Sequence, residues 1–338
     1  MEFIRRRLGL IVRIVVSVGL IGYLVTKVNW TLLWAIVRTM SVGWLVAGFF
    51  CFAPVLLIVS WRWRLLLSVH GVRLRFWRVF ELNMIGQFFS AFLLGTTGGD
   101  VFKIFYVARA VPQRKAAVGF TVIVDRVIGM VALSLLGVAL SFTHLHLLLS
   151  KPETKAATGT FYLLAVGGVG ACLAATIAPY ILRHEALRRL VKKLPFVHRG
   201  ASIFDAYEDT AHAFGTNLLA LGVSLPSHVS IMAMGYCIIR AMHLMPPLIA
   251  FCSILMIVNM LIALPISISG FGVREFFFIK FFGLLNIDSN HAFAFSLTFF
   301  ALNLLWSLIG GPFYFLYRHE THEPPPNKAE VEKVFAES

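Results

Sequence analysis

Long apolar runs alternate with short polar segments along almost the whole chain. A run of about 17 to 25 mainly apolar residues is long enough to cross a bilayer as a helix. The pattern predicts six such spans, at positions 8–25, 42–60, 117–142, 160–182, 217–239 and 293–317. We therefore expect an all-α polytopic membrane protein.

Two further apolar regions, 80–111 and 248–285, are interrupted near their middles by glycines and charged residues. The first contains the sequence GGDVFK at positions 98–103, and the second contains GFGVRE at positions 270–275. Each half of these regions is too short to cross a bilayer comfortably, so we predict two broken helices. Transporters commonly bind their substrates near the bilayer midplane where such helices meet, and we expect the two tips to meet there.

The lysines and arginines predict how these elements are oriented, because cytoplasmic loops carry the positive excess. Basic clusters occur at 5–7, 62–78, 109–115 and 183–199, with Arg318 after the last span. All of these basic clusters lie on the cytoplasmic side if two conditions hold. Region 80–111 must enter the membrane from the cytoplasm and return to it, and region 248–285 must enter from the outside and return there. Both termini are then cytoplasmic. The halves 42–142 and 217–317 become an inverted repeat within one transmembrane domain, 1–317, followed by a cytoplasmic tail, 318–338.

The composition agrees with this picture. Hydrophobic residues make up 59% of the chain and charged residues 14%, against roughly 25% charged in a soluble domain. The net charge of +14 follows from the loop clusters, so we do not expect nucleic acid as a partner. The four cysteines lie inside apolar runs without paired spacing, and we predict neither a metal nor a cofactor. The basic, aromatic segments 61–78 and 186–214 are expected to lie at the cytoplasmic interface.

Asp125 and Arg126 lie about nine residues into a predicted span, roughly 13 Å deep, where charged groups are costly and usually functional or paired. Adjacent residues do not share a helix face. We therefore expect Asp125 to pair with a basic group such as Lys103 or Arg274. Arg126 is expected to pair with a carboxylate, a helix C-terminus or a phosphate. Purely structural pairing remains an alternative, and Arg274 with Glu275 poses the same question.

The glycine stretch before Lys103 predicts an anion site. Gly98 and Gly99 allow a sharp turn, and Asp100 is expected to cap a helix that starts at Val101 with its free N–H groups facing the anion. A plain loop between two helices is the alternative. The candidate substrate-binding residues are Gly98, Gly99, Asp100, Lys103, Asp125, Arg126, Gly270, Gly272, Arg274 and Glu275. The carboxylates would balance the cations or bind a cationic part of the ligand.

The GGDVFK motif, the Asp125-Arg126 pair and the GFGVRE motif, in this order, resemble the lysylphosphatidylglycerol synthase transmembrane-region family of flippase-like membrane proteins, without the aminoacyltransferase domain. The resemblance implies a lipid flippase in the cytoplasmic membrane. Its substrate would be a lipid with an anionic head group, such as an anionic or amino-modified (glyco)phospholipid or a polyprenyl-phosphate-type lipid.

Two other readings stay open. One is a membrane-embedded transferase that uses a lipid-linked donor, with Asp100 or Asp125 as the base. The other is a non-catalytic membrane protein that presents its basic helices to a partner. The sequence leaves the oligomeric state open, and a homo-oligomer is compatible with it.

Overall fold

The apolar runs fold into long helices, as the sequence predicts. The computed structural model describes residues 29–92, 98–181, 201–264 and 270–321, and within these ranges it contains helices and no strand. Five helices in these ranges are long and apolar enough to cross a membrane: Val42–Val69, Pro112–Phe142, Pro152–Ala178, Phe214–Ala241 and Ser289–Tyr317. The chain is therefore a multi-pass, all-α membrane protein. The predicted span at 8–25 and most of the predicted tail lie outside the described residues.

We number the longer described helices in chain order. They are α1 (Trp30–Thr39), α2 (Val42–Val69), α3 (Phe76–Phe92), α4 (Gly98–Ala110), α5 (Lys115–Phe142), α6 (Pro152–Ile181), α7 (Ala201–His212), α8 (Phe214–Ala241), α9 (Leu248–Ala263), α10 (Val273–Phe282) and α11 (Ser289–Thr321). Helices α3 and α4 come from the first broken region, and α9 and α10 come from the second. Both regions are therefore broken into two helices.

Helix α2 continues well beyond the predicted end of its span at Ser60. Trp63, Leu66 and Leu67 extend the apolar pattern and are almost completely buried. The chain turns only after α2, where Gly71 has a φ of +67°, and the next helix begins at Phe76. The structure divides the segment 61–78 between the end of α2 and the start of α3, and its place at a membrane interface stays a prediction. In the other predicted interfacial segment, 186–200 lies outside the described residues and α7 follows.

The first hairpin is formed by α3 and α4, which pack against each other in opposite directions. Near its tip the rings of Phe89 and Phe102 stack with their centroids 3.7 Å apart. At its base both helices reach Tyr317 of α11. The Arg78 guanidinium lies 3.8 Å from the centroid of this ring, and the Tyr106 ring lies 4.9 Å from it. The base of the first hairpin therefore lies at the C-terminal end of α11.

The second hairpin is formed by α9 and α10. Near its tip Gly270 approaches Ile262, and at its base the rings of Phe251 and Phe282 are 5.7 Å apart. Both of these rings contact Phe295, at 5.7 and 5.0 Å. Phe295 lies in the first turns of α11, about 33 Å along the helix from Tyr317. The two hairpin bases thus lie at opposite ends of one helix, which is what an inverted repeat requires.

One helix of each hairpin packs against a long helix of the other half. Helix α3 of the first half packs on α11 of the second, and α9 of the second half packs on α5 of the first. Glycines allow both contacts. A Cβ at Gly310 would lie 2.2 Å from the Met84 carbonyl oxygen, and one at Gly137 would lie 3.2 Å from the Met256 Cβ. Helices α2 and α8 pack together between the halves. The membrane sides and the inverted repeat itself stay predictions.

Candidate functional site: two charged half-sites

The first half-site lies at the start of α4 and consists of Asp100, Lys103 and Arg126. Lys103 is one turn after Asp100, and its Nζ lies 3.5 Å from the Asp100 Oδ1. Arg126 reaches across from α5 and donates from Nε to the Asp100 Oδ2. The prediction that Arg126 pairs with a carboxylate is thus confirmed. One carboxylate holds two cations, and the three side chains together carry one net positive charge.

The first half-site is deep in the helix bundle but open on one side. Arg126 lies about 16 Å along α5 from its start at Lys115. Its side chain is 42% exposed, whereas those of Asp100 and Lys103 are 13% and 15% exposed. The Lys103 ammonium also lies 5.7 Å from the Trp63 ring centroid, a distance at which a cation is attracted to the ring face. The protein therefore covers Asp100 and Lys103 and leaves Arg126 within reach of a ligand.

Gly98 and Gly99 lie in the first turn of α4, whereas the sequence predicts that they form a turn before a helix that starts at Val101. Helix α4 begins at Gly98, so Asp100 lies within the first turn and does not cap a helix that starts at Val101. Gly99 faces α3, and a Cβ there would lie 1.9 Å from the Gly86 carbonyl oxygen. Gly99 is therefore required for the close approach of the two hairpin helices. Residues 93–97, which precede it, lie outside the described residues.

The second half-site lies at the start of α10. Gly270 and Gly272 both have positive φ, +79° and +82°, a backbone conformation that side chains other than glycine rarely adopt. Glu275 accepts the Gly272 N–H at 2.7 Å through Oε2, which closes the turn as a capping side chain does. Its Oε1 accepts from Arg274 Nη2 at 2.5 Å. Arg274 and Glu275, which are adjacent in sequence, thus form an ion pair.

Ser296 of α11 completes the second half-site. Its hydroxyl accepts from Arg274 Nε at 2.8 Å and donates to Glu275 Oε1 at 2.9 Å. The rings of Phe271 and Phe300 lie 5.5 and 5.0 Å from the Arg274 guanidinium carbon. The charged side chains are only 5% and 3% exposed. This half-site is electrically neutral and enclosed.

A comparison with protein families identifies this architecture. The sequence profile of one family, described as the lysylphosphatidylglycerol synthase TM region, matches residues 10–311. The chain belongs to this family. The match confirms the resemblance carried by the three motifs. No curated protein and no solved structure matches the chain.

In this family member Asp125 has a different partner from those predicted. It pairs with neither Lys103 nor Arg274 but with Arg62 of α2, whose Nε and Nη2 donate to its two carboxylate oxygens at 2.6 and 2.9 Å. Both side chains are buried, at 11% and 7% exposed. A bidentate pair of this kind fixes geometry as well as charge. Asp125 thus belongs to a helix contact, separate from the half-site that contains Arg126.

Arg62 ties a third helix into this contact. Its Nη1 donates to the buried Ser224 Oγ of α8 at 2.9 Å. The guanidinium passes over Gly129 of α5, where a Cβ would lie 3.0 Å from Nη1. His228 of α8 contacts the Gly129 carbonyl oxygen at 3.0 Å through Nε2. We call Arg62, Asp125 and Ser224 the three-helix lock, because they join α2, α5 and α8.

The sequence prediction missed Arg62, Ser224 and Ser296. Arg62 was assigned to a basic interfacial segment, although the apolar run Leu65, Leu66 and Leu67 after it continues the span. That continuity was the signal that could have found it. The two serines have no distinguishing sequence context. The two tips, GGDVFK at 98–103 and GFGVRE at 270–275, are predicted to meet. The charged groups of each tip instead bond partners within their own half-site. Residues 93–97 and 265–269, which precede the tips, lie outside the described residues. Across the described ranges no group of three or more His, Cys, Asp or Glu side chains could hold a metal ion.

Proposed function

We propose that this chain is a lipid translocase whose first half-site binds an anionic head group at mid-membrane depth. The observation that carries the proposal is the triad of Asp100, Lys103 and Arg126, with one net positive charge and with Arg126 partly exposed. Ile123 and Val127, on the same helix, are also exposed. A head group can therefore reach Arg126 from the side while its chains stay in lipid.

Family membership indicates a membrane function related to lipids. The finer assignment rests on charge. A phosphodiester carries one negative charge, which balances the one excess positive charge of the triad. Arginine binds phosphate through paired, directional hydrogen bonds. Asp100 lowers the cost of holding two cations in the membrane when no lipid is bound, because buried charges are tolerated there mainly as pairs.

Asp100 also bears on the type of lipid. When a phosphate binds Arg126 in place of Asp100, the Asp100 carboxylate becomes available to a cationic group of the same lipid head group. Amino-modified phospholipids then fit as well as simple anionic ones, and a polyprenyl phosphate fits through its phosphate alone. We place the protein in the cytoplasmic membrane with both termini in the cytoplasm, because the basic loops favour that orientation.

The transferase reading is less well supported. A general base must be able to accept a proton from its substrate. Both oxygens of Asp125 already accept hydrogen bonds from the buried Arg62. Asp100 is held by Lys103 and Arg126. Both carboxylates are therefore already engaged by cationic side chains.

The test is Arg126→Ala in proteoliposomes that contain labelled phosphatidylglycerol, an amino-modified phospholipid or a polyprenyl phosphate. A hydrogen bond to a charged group contributes about 1.5–3 kcal/mol, so we expect the transport rate of the active lipid to fall about tenfold or more. Thermal unfolding in detergent should change little, because Arg126 is partly exposed and Asp100 keeps Lys103 as a partner.

The matched control is Arg38→Ala on α1, which removes one exposed positive charge that lies over Trp34. It should transport lipid like the unmodified protein. Wild-type rates for Arg126→Ala with every lipid in the panel would contradict the proposed role of the triad.

A further inference from the structure

A long apolar groove lies between α5 and α6. Its volume is about 710 Å³, within the roughly 300–1,000 Å³ range of small-molecule sites. Ile123, Val127 and Val131 of α5 form one wall, and Gly167, Gly168 and Ala171 of α6 form the other. Leu163 on the same wall is largely exposed, so the groove opens sideways toward the surrounding lipid.

The glycines of the groove do not serve helix packing. A Cβ built at Gly167 or Gly168 meets no atom within 4 Å, whereas one at Gly137 would lie 2.7 Å from the Phe161 ring. Side chains would fit at both groove positions. Their absence keeps the groove wide along its length, which is what a linear apolar ligand requires.

The groove runs past the first half-site. Ile123 and Met130, which precede and follow Arg126 by three and four residues, both line it. Residues at these spacings are neighbours on a helix surface, so Arg126 lies at the rim of the groove. One end of the groove is lined by the polar residues Tyr207, Thr210 and Asn217. At this end the ring centroids of Tyr207 and Phe120 are 6.5 Å apart. The opposite end, toward Val131 and Leu164, is lined by apolar side chains and by Ser134, whose hydroxyl bonds the Met130 carbonyl of its own helix.

We propose that the groove holds one acyl chain of the lipid whose phosphate is bound by Arg126. This inference rests on the proposed function and adds a chain-binding site to it. Lipid tails are as apolar as the groove, so the chain gains little by leaving the bilayer. The head group must hold the chain there. Occupancy should therefore depend on Arg126, and this separates a substrate chain from ordinary surrounding lipid.

The experiment uses phosphatidylglycerol with a photoreactive diazirine near the middle of one acyl chain, because Val131 lies only about 7.5 Å along α5 from Arg126. The probe is mixed into phosphatidylcholine vesicles that contain the full-length protein. After irradiation, labelled positions are mapped by mass spectrometry. We expect label at Val131 and Leu164 in the groove to exceed label at Val166, an exposed α6 residue outside it. Arg126→Ala should lower this ratio several-fold. A phosphatidylcholine probe should give the lower ratio with the unmodified protein.

Two glycine variants on α6 provide the steric test. Gly168→Leu should fill the groove and lower the groove label several-fold. Gly170→Leu is the matched control, because Gly170 also has open space around its Cβ position but does not line the groove. It should leave the label unchanged. A groove label that is the same in Arg126→Ala, in Gly168→Leu and with the phosphatidylcholine probe would overturn the inference.

Transport measured on the same vesicles separates the two proposals. If Arg126→Ala slows transport while neither it nor Gly168→Leu changes the groove label, the groove site is wrong and the translocase proposal stands. If the unmodified protein moves no lipid while the groove label still depends on Arg126, the translocase proposal is wrong and the chain site stands.

Discussion

The two hairpins carry charged residues at the same place, the first turn of their second helix, and both reach a side chain of the long helix that follows. At the first hairpin Asp100 meets Arg126 of α5, whose side chain is 42% exposed. At the second hairpin Glu275 and Arg274 meet Ser296 of α11 and are almost completely buried. The first set has one excess positive charge, and the second is neutral.

This difference indicates that the two sets of charged residues have different roles. At the second hairpin Glu275 bonds the turn, its neighbouring arginine and Ser296, so its oxygens stabilise the turn itself. At the first hairpin the Asp100 carboxylate is shared between two cations, one of which, Arg126, is 42% exposed. A charge network whose partners are all internal contributes to the fold, whereas the partly exposed Arg126 supports our proposal that the first half-site binds a ligand.

The largest expected effect comes from Glu275→Ala. It leaves the buried Arg274 without its carboxylate, and removing one partner of a buried pair costs about 3–5 kcal/mol. We expect a large fall in the thermal unfolding temperature in detergent, and a loss of transport that only follows the loss of folded protein. Arg126→Ala in the first half-site should unfold at a much higher temperature, because Arg126 is 42% exposed and Asp100 keeps Lys103 as a partner. Equal unfolding temperatures for the two variants would abolish the distinction.

A medium effect is expected for Gly99→Ala. The added Cβ would lie 1.9 Å from the Gly86 carbonyl oxygen, and overpacking of this kind costs about 1–3 kcal/mol. Gly119→Ala on α5 is the control, because its Cβ position has no atom within 4 Å. Only the Gly99 variant should unfold at a lower temperature. If the two variants unfold alike, the α3–α4 contact does not depend on this glycine.

The smallest effect is expected for Ser296→Ala. It removes hydrogen bonds to both Arg274 and Glu275 but leaves their ion pair in place, so the loss should lie at the lower end of the about 1.5–3 kcal/mol typical of hydrogen bonds to charged groups. Ser253→Ala removes a hydroxyl that bonds only the Ile249 carbonyl of its own helix, and it should cost less. Transport per folded molecule should be unchanged in both variants. A specific transport defect in Ser296→Ala would place the second half-site in the substrate path.

Much of the fold could be predicted because hydrophobic length and basic loops are local properties of the sequence. Five predicted spans and both broken regions correspond to described helices. The partner of Asp125 could not be predicted, because it depends on how α2 packs on α5. The end of α2 was also misjudged, since Arg62 and Arg64 resemble an interfacial cluster although Trp63 is buried.

The candidate site was predictable in its residues and less so in their arrangement. Asp125 and Arg126 do face different partners, as adjacent helix residues should. Arg274 and Glu275 bond each other despite the same spacing. They lie in the first turn of α10, where long side chains can meet beyond the helix end and a serine of α11 lies between them. Such contacts depend on tertiary packing and leave no pattern in the sequence.

The three-helix lock has a consequence for motion. Separating Arg62 from Asp125 would leave two uncompensated charges away from water, so the lock holds α2 and α5 together as one rigid unit. One of these helices, α8, belongs to the opposite half from the other two. Moving α8 away from the other two would break the Arg62–Ser224 hydrogen bond, at a cost of about 1.5–3 kcal/mol, and would leave the Arg62–Asp125 pair intact. The lock is therefore strong within the first half and weaker between the halves.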